Sequence, residues 1–135
     1  MNYKYNDKSF QATDIYKEFI KKNAGKGNLK IRAYAANEAL PISNLKVIIS
    51  TTIGDEKIIF FEGVTDSSGM IETISLPAPV INKNNLLVPD TITYEIEASY
   101  DDLNQVFTIN MYDGICVLQN IKFTPGLVEG DINGN

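Results

Sequence analysis

Side chains that usually perform acid–base chemistry are scarce in this sequence. It contains no histidine, which removes the commonest general base and metal ligand and excludes a Ser-His-Asp or Cys-His arrangement. Cys116 is the only cysteine, it has no adjacent base, and its place in a predicted strand favours packing over nucleophilic chemistry. The Gly25-Lys26-Gly27 segment is too short for a phosphate-binding loop. The sequence therefore predicts no catalytic residue, no cofactor and no metal, and we expect a protein that is not an enzyme.

One C-terminal segment has the residue types of a calcium ligand set. Residues 130–135 read GDINGN, which resembles the opening of the calcium loop in dockerin modules, where alternating Asp and Asn oxygens approach the ion. The sequence ends before the acidic residue that such loops need at their twelfth position. We therefore expect residues 126–135 to form a polar tail.

Residue types that form an isopeptide bond also occur in a suitable order. In the B-type repeats of collagen adhesins, a lysine of the first strand is joined to an asparagine of the last strand beside a buried acid. Lys30, Asn120 and either Glu95 or Glu97 match that order. Each of them alternates out of phase with the apolar residues of its predicted strand, so we expect all of them to face solvent. That orientation argues against the bond.

Charge is distributed unevenly along the chain. Residues 1–32 hold eight of the twelve basic side chains and three acids, a net charge of +5, whereas the remaining 103 residues hold four basic and fourteen acidic side chains, a net charge of −10. A basic arm beside an acidic body favours a partner-binding role for the arm. The alternative is that its lysines only solvate a surface helix. The acidic body argues against nucleic acid as a partner, because it repels phosphate.

A short amphipathic helix is predicted within the arm, over the segment TDIYKEFIKKN. Thr13 or Asp14 can cap it, and Asn23 with Gly25 can end it. One helical face carries Ile15, Tyr16, Phe19 and Ile20, and the other carries Lys17, Glu18, Lys21 and Lys22. A helix this short is marginal alone in water, so its apolar face must dock on this domain or on a neighbour. The residues before it, 1–10, show no periodicity and are expected to be extended or loose.

The rest of the chain alternates with the period of β-strands. Seven strands are predicted at 28–34, 45–53, 57–65, 71–76, 91–100, 105–111 and 115–123. Asp66 and Gly69 indicate a tight turn before the fourth strand, and Pro77 and Pro79 should end that strand. Seven short strands with turns at regular spacing are typical of a β-sandwich. The predicted core residues are Leu29, Ile31, Val47, Ile49, Ile71, Tyr94, Ile96, Val117 and Ile121.

Several of these strand motifs are familiar in combination. The segments GNLKIRAY, ALPISNLKVII, TDSSGMIETISLPAP, YEIEASY and YDGICVLQNIKFTP together resemble the transthyretin-like sandwich, also called prealbumin-like or carboxypeptidase regulatory-like. The variant with LPAP after the turn is similar to the N-terminal domain of spore cortex-lytic enzymes. The resemblance covers residues 27–125 and implies a seven-stranded antiparallel sandwich that is non-catalytic. Residues 1–26 are then a basic arm with a short helix, and 126–135 a tail.

Two functions remain open at this stage. One is a binding module that docks onto spore or cell-envelope material or a protein partner, through the helix residues Ile15, Phe19, Lys17, Lys21 and Lys22 and the polar loop residues Asn82, Lys83, Asn84 and Asn85. The other is a structural subunit whose arm binds the acidic body of the next copy. No apolar run is long enough to span a bilayer, and the polar N-terminus lacks the apolar core of a signal peptide. We therefore expect a cytoplasmic protein as synthesised, with a possible spore association and no membrane partner.

Overall fold

Two β-sheets and two short helices form the protein in the computed structural model, which describes residues 3–35, 40–81 and 90–123. The elements in chain order are β1 (Tyr3–Tyr5), α1 (Lys8–Gln11), α2 (Asp14–Lys22), β2 (Gly25–Ala35), β3 (Leu40–Pro41), β4 (Lys46–Ile53), β5 (Glu56–Val64), β6 (Met70–Ala78), β7 (Ile92–Tyr100), β8 (Leu103–Met111) and β9 (Cys116–Phe123).

The first sheet, sheet A, has five strands in the order β1-β5-β4-β7-β8. Its four long strands are antiparallel to their neighbours, and β1 is added in parallel along the free side of β5. The β4–β5 hairpin turns at Gly54, which has a φ of +66°. A glycine adopts this left-handed conformation without the steric cost that a side chain brings.

The second sheet, sheet B, is built around β2. Strand β9 runs parallel to β2 over residues 28–35, and β6 and β3 pair antiparallel with β2 at residues 25–32 and 34–35. Because β9 occupies one side of β2 along most of its length, β6 and β3 share the other side. Strand β6 is thus an edge strand, which explains how it continues through Pro77 to Ala78. Of the two prolines predicted to end the strand, Pro77 is paired within it, and the strand ends at Ala78, before Pro79.

The predicted architecture of seven antiparallel strands is corrected in two respects. All seven predicted strands are present, but the described residues contain nine strands, because β1 and β3 are added. The sheets are also mixed, with parallel pairings between β1 and β5 and between β2 and β9. Side-chain alternation gives the position of a strand but not its direction relative to a neighbour. The chain reaches β9 from β8 of sheet A and not by a hairpin from β2, so β9 is free to pair in parallel with β2.

The turn between β5 and β6 has the predicted chemistry. One carboxylate oxygen of Asp66, Oδ1, accepts hydrogen bonds from the backbone N–H of Ser68 at 2.8 Å and of Met70 at 3.0 Å. Gly69 has a φ of +74°, and a Cβ at this position would collide with the carbonyl oxygen of Ala33. The turn therefore requires glycine for both conformation and space.

The core lies between the two sheets. Eight of the nine predicted core residues are buried, and Val117 is half-buried against them. Tyr94 of β7 is the largest fully buried side chain, and its hydroxyl donates a 2.7 Å hydrogen bond to the carbonyl oxygen of Pro77 in β6. Burial raises the pKa of Tyr94, so this phenol remains a hydrogen-bond donor throughout the physiological pH range. The bond connects sheet A with sheet B.

The N-terminal segment was expected to be extended or loose over residues 1–10; residues 3–5 are extended as strand β1, and residues 8–11 form helix α1, which was not predicted. Strand β1 is hydrogen-bonded to β5, and Asp7 caps α1 by accepting the N–H of Phe10 at 2.9 Å. A second apolar cluster forms where Phe10 packs with Ile53 and Ile58 of sheet A. Neither of the two described helices is long and apolar enough to cross a membrane.

Candidate functional site

Helix α2 carries the residues that the sequence predicts to contact a partner. Its N-terminus is capped by Thr13, whose hydroxyl accepts the N–H of Tyr16 at 3.3 Å. The ring of Phe19 lies 5.9 Å from the ring of Phe60 on β5, so this part of the apolar face packs on the protein's own sheet. Ile15 remains 45% exposed. Of the two apolar residues predicted to bind a partner, Phe19 therefore packs within the same molecule and Ile15 does not.

A continuous row of aromatic contacts connects this helix to the core. Successive ring centroids are 5.6 Å apart from Phe10 to Tyr16, 6.0 Å from Tyr16 to Phe19, 5.9 Å from Phe19 to Phe60 and 5.7 Å from Phe60 to Tyr94. Aromatic pairs at these separations contribute beyond the area they bury. The helix is thus integrated into the sandwich.

The lysines of α2 point away from this row. Lys17, Lys21 and Lys22 are exposed, and Lys21 forms an ion pair with Glu18 at 3.6 Å, which is weak at this exposure. Lys22 lines an open cleft of about 500 Å³ together with Asn23, Pro79, Asp90, Thr91 and Ile92. Asn82, Lys83, Asn84 and Asn85 lie outside the described residues. Pro79 and Asp90, which precede and follow that segment, nevertheless reach the same cleft as Lys22.

Strand β1 is held to sheet A by a small polar cluster. The hydroxyl of Tyr5 donates a 2.7 Å hydrogen bond to Glu62, and Lys46 forms an ion pair with the same carboxylate at 3.1 Å. The bond to the carboxylate raises the pKa of Tyr5 above its usual value, and the hydrogen bonds from Tyr5 and Lys46 lower the pKa of Glu62. These interactions keep β1 in place along the edge of β5, whose backbone groups would otherwise be unpaired there.

A polar cleft that the sequence did not predict lies on the outer face of sheet A. It has a volume of about 480 Å³ and is lined mainly by side-chain hydroxyls, together with Lys57, Glu95 and Ile92; the hydroxyl residues are Ser50, Thr51, Thr52, Thr91, Thr93 and Thr108. Lys57 Nζ contacts both carboxylate oxygens of Glu95, at 3.0 and 2.7 Å. The spacing of Thr91, just before β7, and Thr93 within it was the available sequence signal, since alternate residues of an extended segment share a face.

The chemistry available in this cleft is hydrogen bonding. Activation of a hydroxyl as a nucleophile needs an adjacent base. The hydroxyls of Thr51 and Thr93 instead donate 2.8 Å bonds to the carbonyl oxygen of Thr93 and to Asn110 Oδ1. The carboxylate of Glu95 is engaged by Lys57. Within the described residues, no group of three or more His, Cys, Asp or Glu side chains is placed to hold a metal ion.

The outer face of sheet B displays two residues considered in the sequence for covalent chemistry. Lys30 and Asn120 are exposed, as their alternation predicts, and both candidate acids, Glu95 and Glu97, lie on β7 of the other sheet. The lysine and the asparagine are therefore not brought together with either acid for an isopeptide bond. Cys116 is also exposed, so the prediction that it packs in the core was wrong.

Comparison with known proteins identifies the fold only. No protein-family model matches the chain, and no curated protein matches it either. A catechol 1,2-dioxygenase structure from Acinetobacter sp. ADP1 superimposes with a TM-score of 0.51 at 15% identity, covering 96% of this chain and 58% of the dioxygenase. At this identity the similarity extends to the β-sandwich fold and no further.

Two other solved structures align less well. The dioxygenase domain of a dioxygenase carbohydrate-binding protein fusion from Streptomyces sp. SirexAA-E has a TM-score of 0.45 and 10% identity, over 74% of this chain and 80% of that domain. Transthyretin from Sparus aurata has a TM-score of 0.43 and 14% identity, over 70% of this chain and 90% of transthyretin. Neither carries an argument about function.

Proposed function

We propose that this chain is a non-catalytic β-sandwich module that docks onto spore or cell-envelope material, or onto a protein of that envelope. The observation that carries this proposal is the packing of Phe19 against Phe60 within one molecule. It supports docking over self-assembly, because Phe19 is already packed without a second copy. The motif resemblance to the N-terminal domain of spore cortex-lytic enzymes supports the same choice.

A structural subunit that assembles through its N-terminal segment is the second candidate. The exposed Lys17, Lys21 and Lys22 favour it, since these charges are available to the acidic surface of a neighbouring copy. Contacts of that kind would be held by exposed charges alone. Such pairs contribute about 0–1 kcal/mol each and are screened by salt, so they make a weak basis for an assembly.

The proposal is tested by co-sedimentation with purified cell-wall sacculi from a spore-forming bacterium. We expect saturable retention of the folded protein, and no retention of an unrelated β-sandwich of similar size and a matching pI of about 4.6. The supernatant should contain no soluble wall fragments that increase with time, because the module does not cut its ligand. Failure to sediment, or time-dependent release of fragments, would contradict the proposal.

A further inference from the structure

Four cationic residues lie on the outer face of sheet B, and we call this surface the basic face. Lys26, Lys30 and Arg32 alternate along β2 with residues that are buried in the core, and Lys122 projects from β9 in the same way. The parallel register places Lys30 beside Leu118, Arg32 beside Asn120 and Tyr34 beside Lys122. The first three belong to the basic N-terminal third of the sequence, and the fourth comes from the last strand.

Among the described residues, few acids lie near the basic face. None of its four cations forms an ion pair within the part of the chain that the structure describes. Two acids approach the face, Glu72 on β6 and Asp113 at the end near Lys26. The carboxylate of Asp113 already accepts backbone N–H groups of Lys26 and Ile81, at 3.0 and 3.3 Å. A local positive field thus remains on a protein whose net charge is −5.

Arg32 lies over an aromatic ring. Its guanidinium carbon lies 4.8 Å from the centre of the Tyr34 ring, a stacking contact that fixes the plane of the group. It lines a small cleft of about 200 Å³ with Ala33, Tyr34, Pro41 and Ser68. A planar guanidinium donates two parallel hydrogen bonds to a phosphate, and the hydroxyl of Ser68 supplies a further donor. This cleft therefore has the donors that a phosphate group requires.

The basic face is elongated along the strands. At about 3.3 Å per residue, the distance from Lys26 to the level of Tyr34 and Lys122 is about 26 Å, with Lys30 and Arg32 between them. A row of separated cations of this length matches a linear chain of anions better than a single small anion. Asn28 and Asn120, both exposed on the same face, add hydrogen-bonding groups along the row.

The composition of the face indicates which class of partner fits it. The centre of a protein–protein interface is depleted of lysine and rich in apolar groups, whereas Leu118 is the only large apolar side chain exposed on the described part of this face. Single-stranded nucleic acid needs exposed aromatic rings on which its bases can stack, and Tyr34, the one aromatic on the described part of the face, is already covered by Arg32. Both observations favour a polymer without bases.

The geometry points to the basic face as a binding site for a linear phosphodiester polymer of the cell envelope, with one phosphate in the Arg32 cleft and others along Lys30, Lys122 and Lys26. This inference rests on the proposed docking function and specifies its ligand class and its surface. The lysines of α2 are then not the principal contacts.

Binding is measured by the fluorescence anisotropy of labelled poly(glycerol phosphate) of about twenty units over a series of salt concentrations. With four cations engaged, the slope of log K against log salt should be about −3, at about 0.7 per cation. The double variant Lys30→Gln/Arg32→Gln should lower affinity at least tenfold at low salt and reduce the slope to about −1.4. Arg32→Lys should weaken binding with the slope unchanged, because it keeps the charge and loses the paired hydrogen bonds.

The matched control is Lys17→Gln/Lys21→Gln, which removes the same charge from α2. Its affinity should stay within about twofold of the parent, because salt largely screens the attraction between the α2 lysines and a polymer bound on the basic face beyond one Debye length. All variants alter side chains outside the core, so their urea midpoints should match the parent and separate binding from folding. Equal losses in the two double variants would overturn the assignment to the basic face.

Two further measurements separate this inference from the function on which it rests. A thymidine oligonucleotide with the same number of phosphates should bind more weakly than poly(glycerol phosphate), and equal or tighter binding would overturn the choice of a base-free polymer. Sacculi stripped of phosphate polymers with hydrofluoric acid should retain less protein than intact sacculi. Equal retention on intact and stripped sacculi would overturn the inference and leave the docking function in place. Retention on neither preparation would contradict the inference and the docking function together.

Discussion

Glycine 69 is constrained by its conformation and by its surroundings together. Its φ of +74° disfavours any side chain, and the carbonyl of Ala33 occupies the space of a Cβ. Gly114 has a similar φ of +78°, but nothing lies within 4 Å of its Cβ position. We therefore expect Gly69→Ala to cost about 3 kcal/mol of unfolding free energy and Gly114→Ala about 1 kcal/mol. Urea titration measures both, and equal costs would show that the contact with Ala33 is unimportant.

Tyr94 tests the hydrogen bond between the sheets. Tyr94→Phe keeps the ring in the core but leaves the carbonyl of Pro77 without its 2.7 Å partner. The expected loss is about 1–2 kcal/mol. Tyr100 is the matched control, because its hydroxyl has no hydrogen-bond partner among the described residues, and Tyr100→Phe should stay within about 0.5 kcal/mol of the parent. A neutral result for Tyr94→Phe would mean that the bond contributes nothing net.

Single residues were predicted well wherever one local rule decided their role. The Asp66 turn, the positive φ of Gly69 and nearly all of the core residues follow from turn chemistry and alternation. Cys116 was mispredicted because its apolar character was given more weight than its position. It lies out of phase with Val117 and Ile121, and the same alternation that buries Ile121 exposes Cys116.

At the scale of an element, helix α2 provides the sharpest test of intramolecular packing. Phe19→Ala removes a half-buried ring from the row that links the helix to Phe60 and should cost about 2 kcal/mol of unfolding free energy. Ile15→Ala alters a residue of the same helix that is 45% exposed, and should cost less than about 1 kcal/mol. If the helix face were reserved for a partner, Phe19→Ala would leave the urea midpoint of the isolated protein unchanged.

The attachment of β1 should depend on pH through Tyr5 and Glu62. The lowered pKa of Glu62 adds stability above its usual value of 4.5, and that stability is lost as the pH falls. The raised pKa of Tyr5 adds stability below its usual value of 10.0, and this is lost as the pH rises through the pKa of the folded state. The attachment is therefore strongest between these two values.

The amide of Asn6 reports on this attachment, because it donates a 2.9 Å hydrogen bond to the carbonyl of Ile59 on β5. Its hydrogen-exchange protection factor should be higher at pH 7 than at pH 4. Glu62→Gln removes the charge that titrates, so its protection factor should be lower at pH 7 and nearly the same at both values. A parent protein with no change between the two values would rule out this polar cluster as the cause.

Elements were predictable in proportion to their length. The seven long strands and α2 carry enough residues for a period to be visible, and each was located. Strands β1 and β3 have three and two residues and depend on pairing with a distant partner, which no local pattern records. The direction of β9 relative to β2 is equally non-local. Tertiary context decides such short or paired segments.

For the whole molecule, folding divides the basic residues of the N-terminal segment between two surfaces. Eight basic residues precede position 33, and they were assigned to one arm. Folding separates them, so that Lys17, Lys21 and Lys22 lie on α2 while Lys30 and Arg32 join Lys122 on sheet B. Their period of two, out of phase with Leu29 and Ile31, was the sequence signal for a sheet face. Lys122 joins Lys30 and Arg32 on one face only because β9 pairs in parallel with β2.

The oligomeric state decides between the docking module and the structural subunit. Because Phe19 of α2 packs on its own sheet, light scattering of the whole chain should give the monomer mass of 15.0 kDa over a concentration series at both low and high salt. A version starting at Gly27 should also be monomeric, but less stable, since it lacks β1, Phe10 and Phe19. Oligomers of the whole chain that salt weakens and the truncation abolishes would instead establish the N-terminal segment as a connector between copies. The helix packing would then have to exchange between molecules, and the structural subunit would replace the docking module.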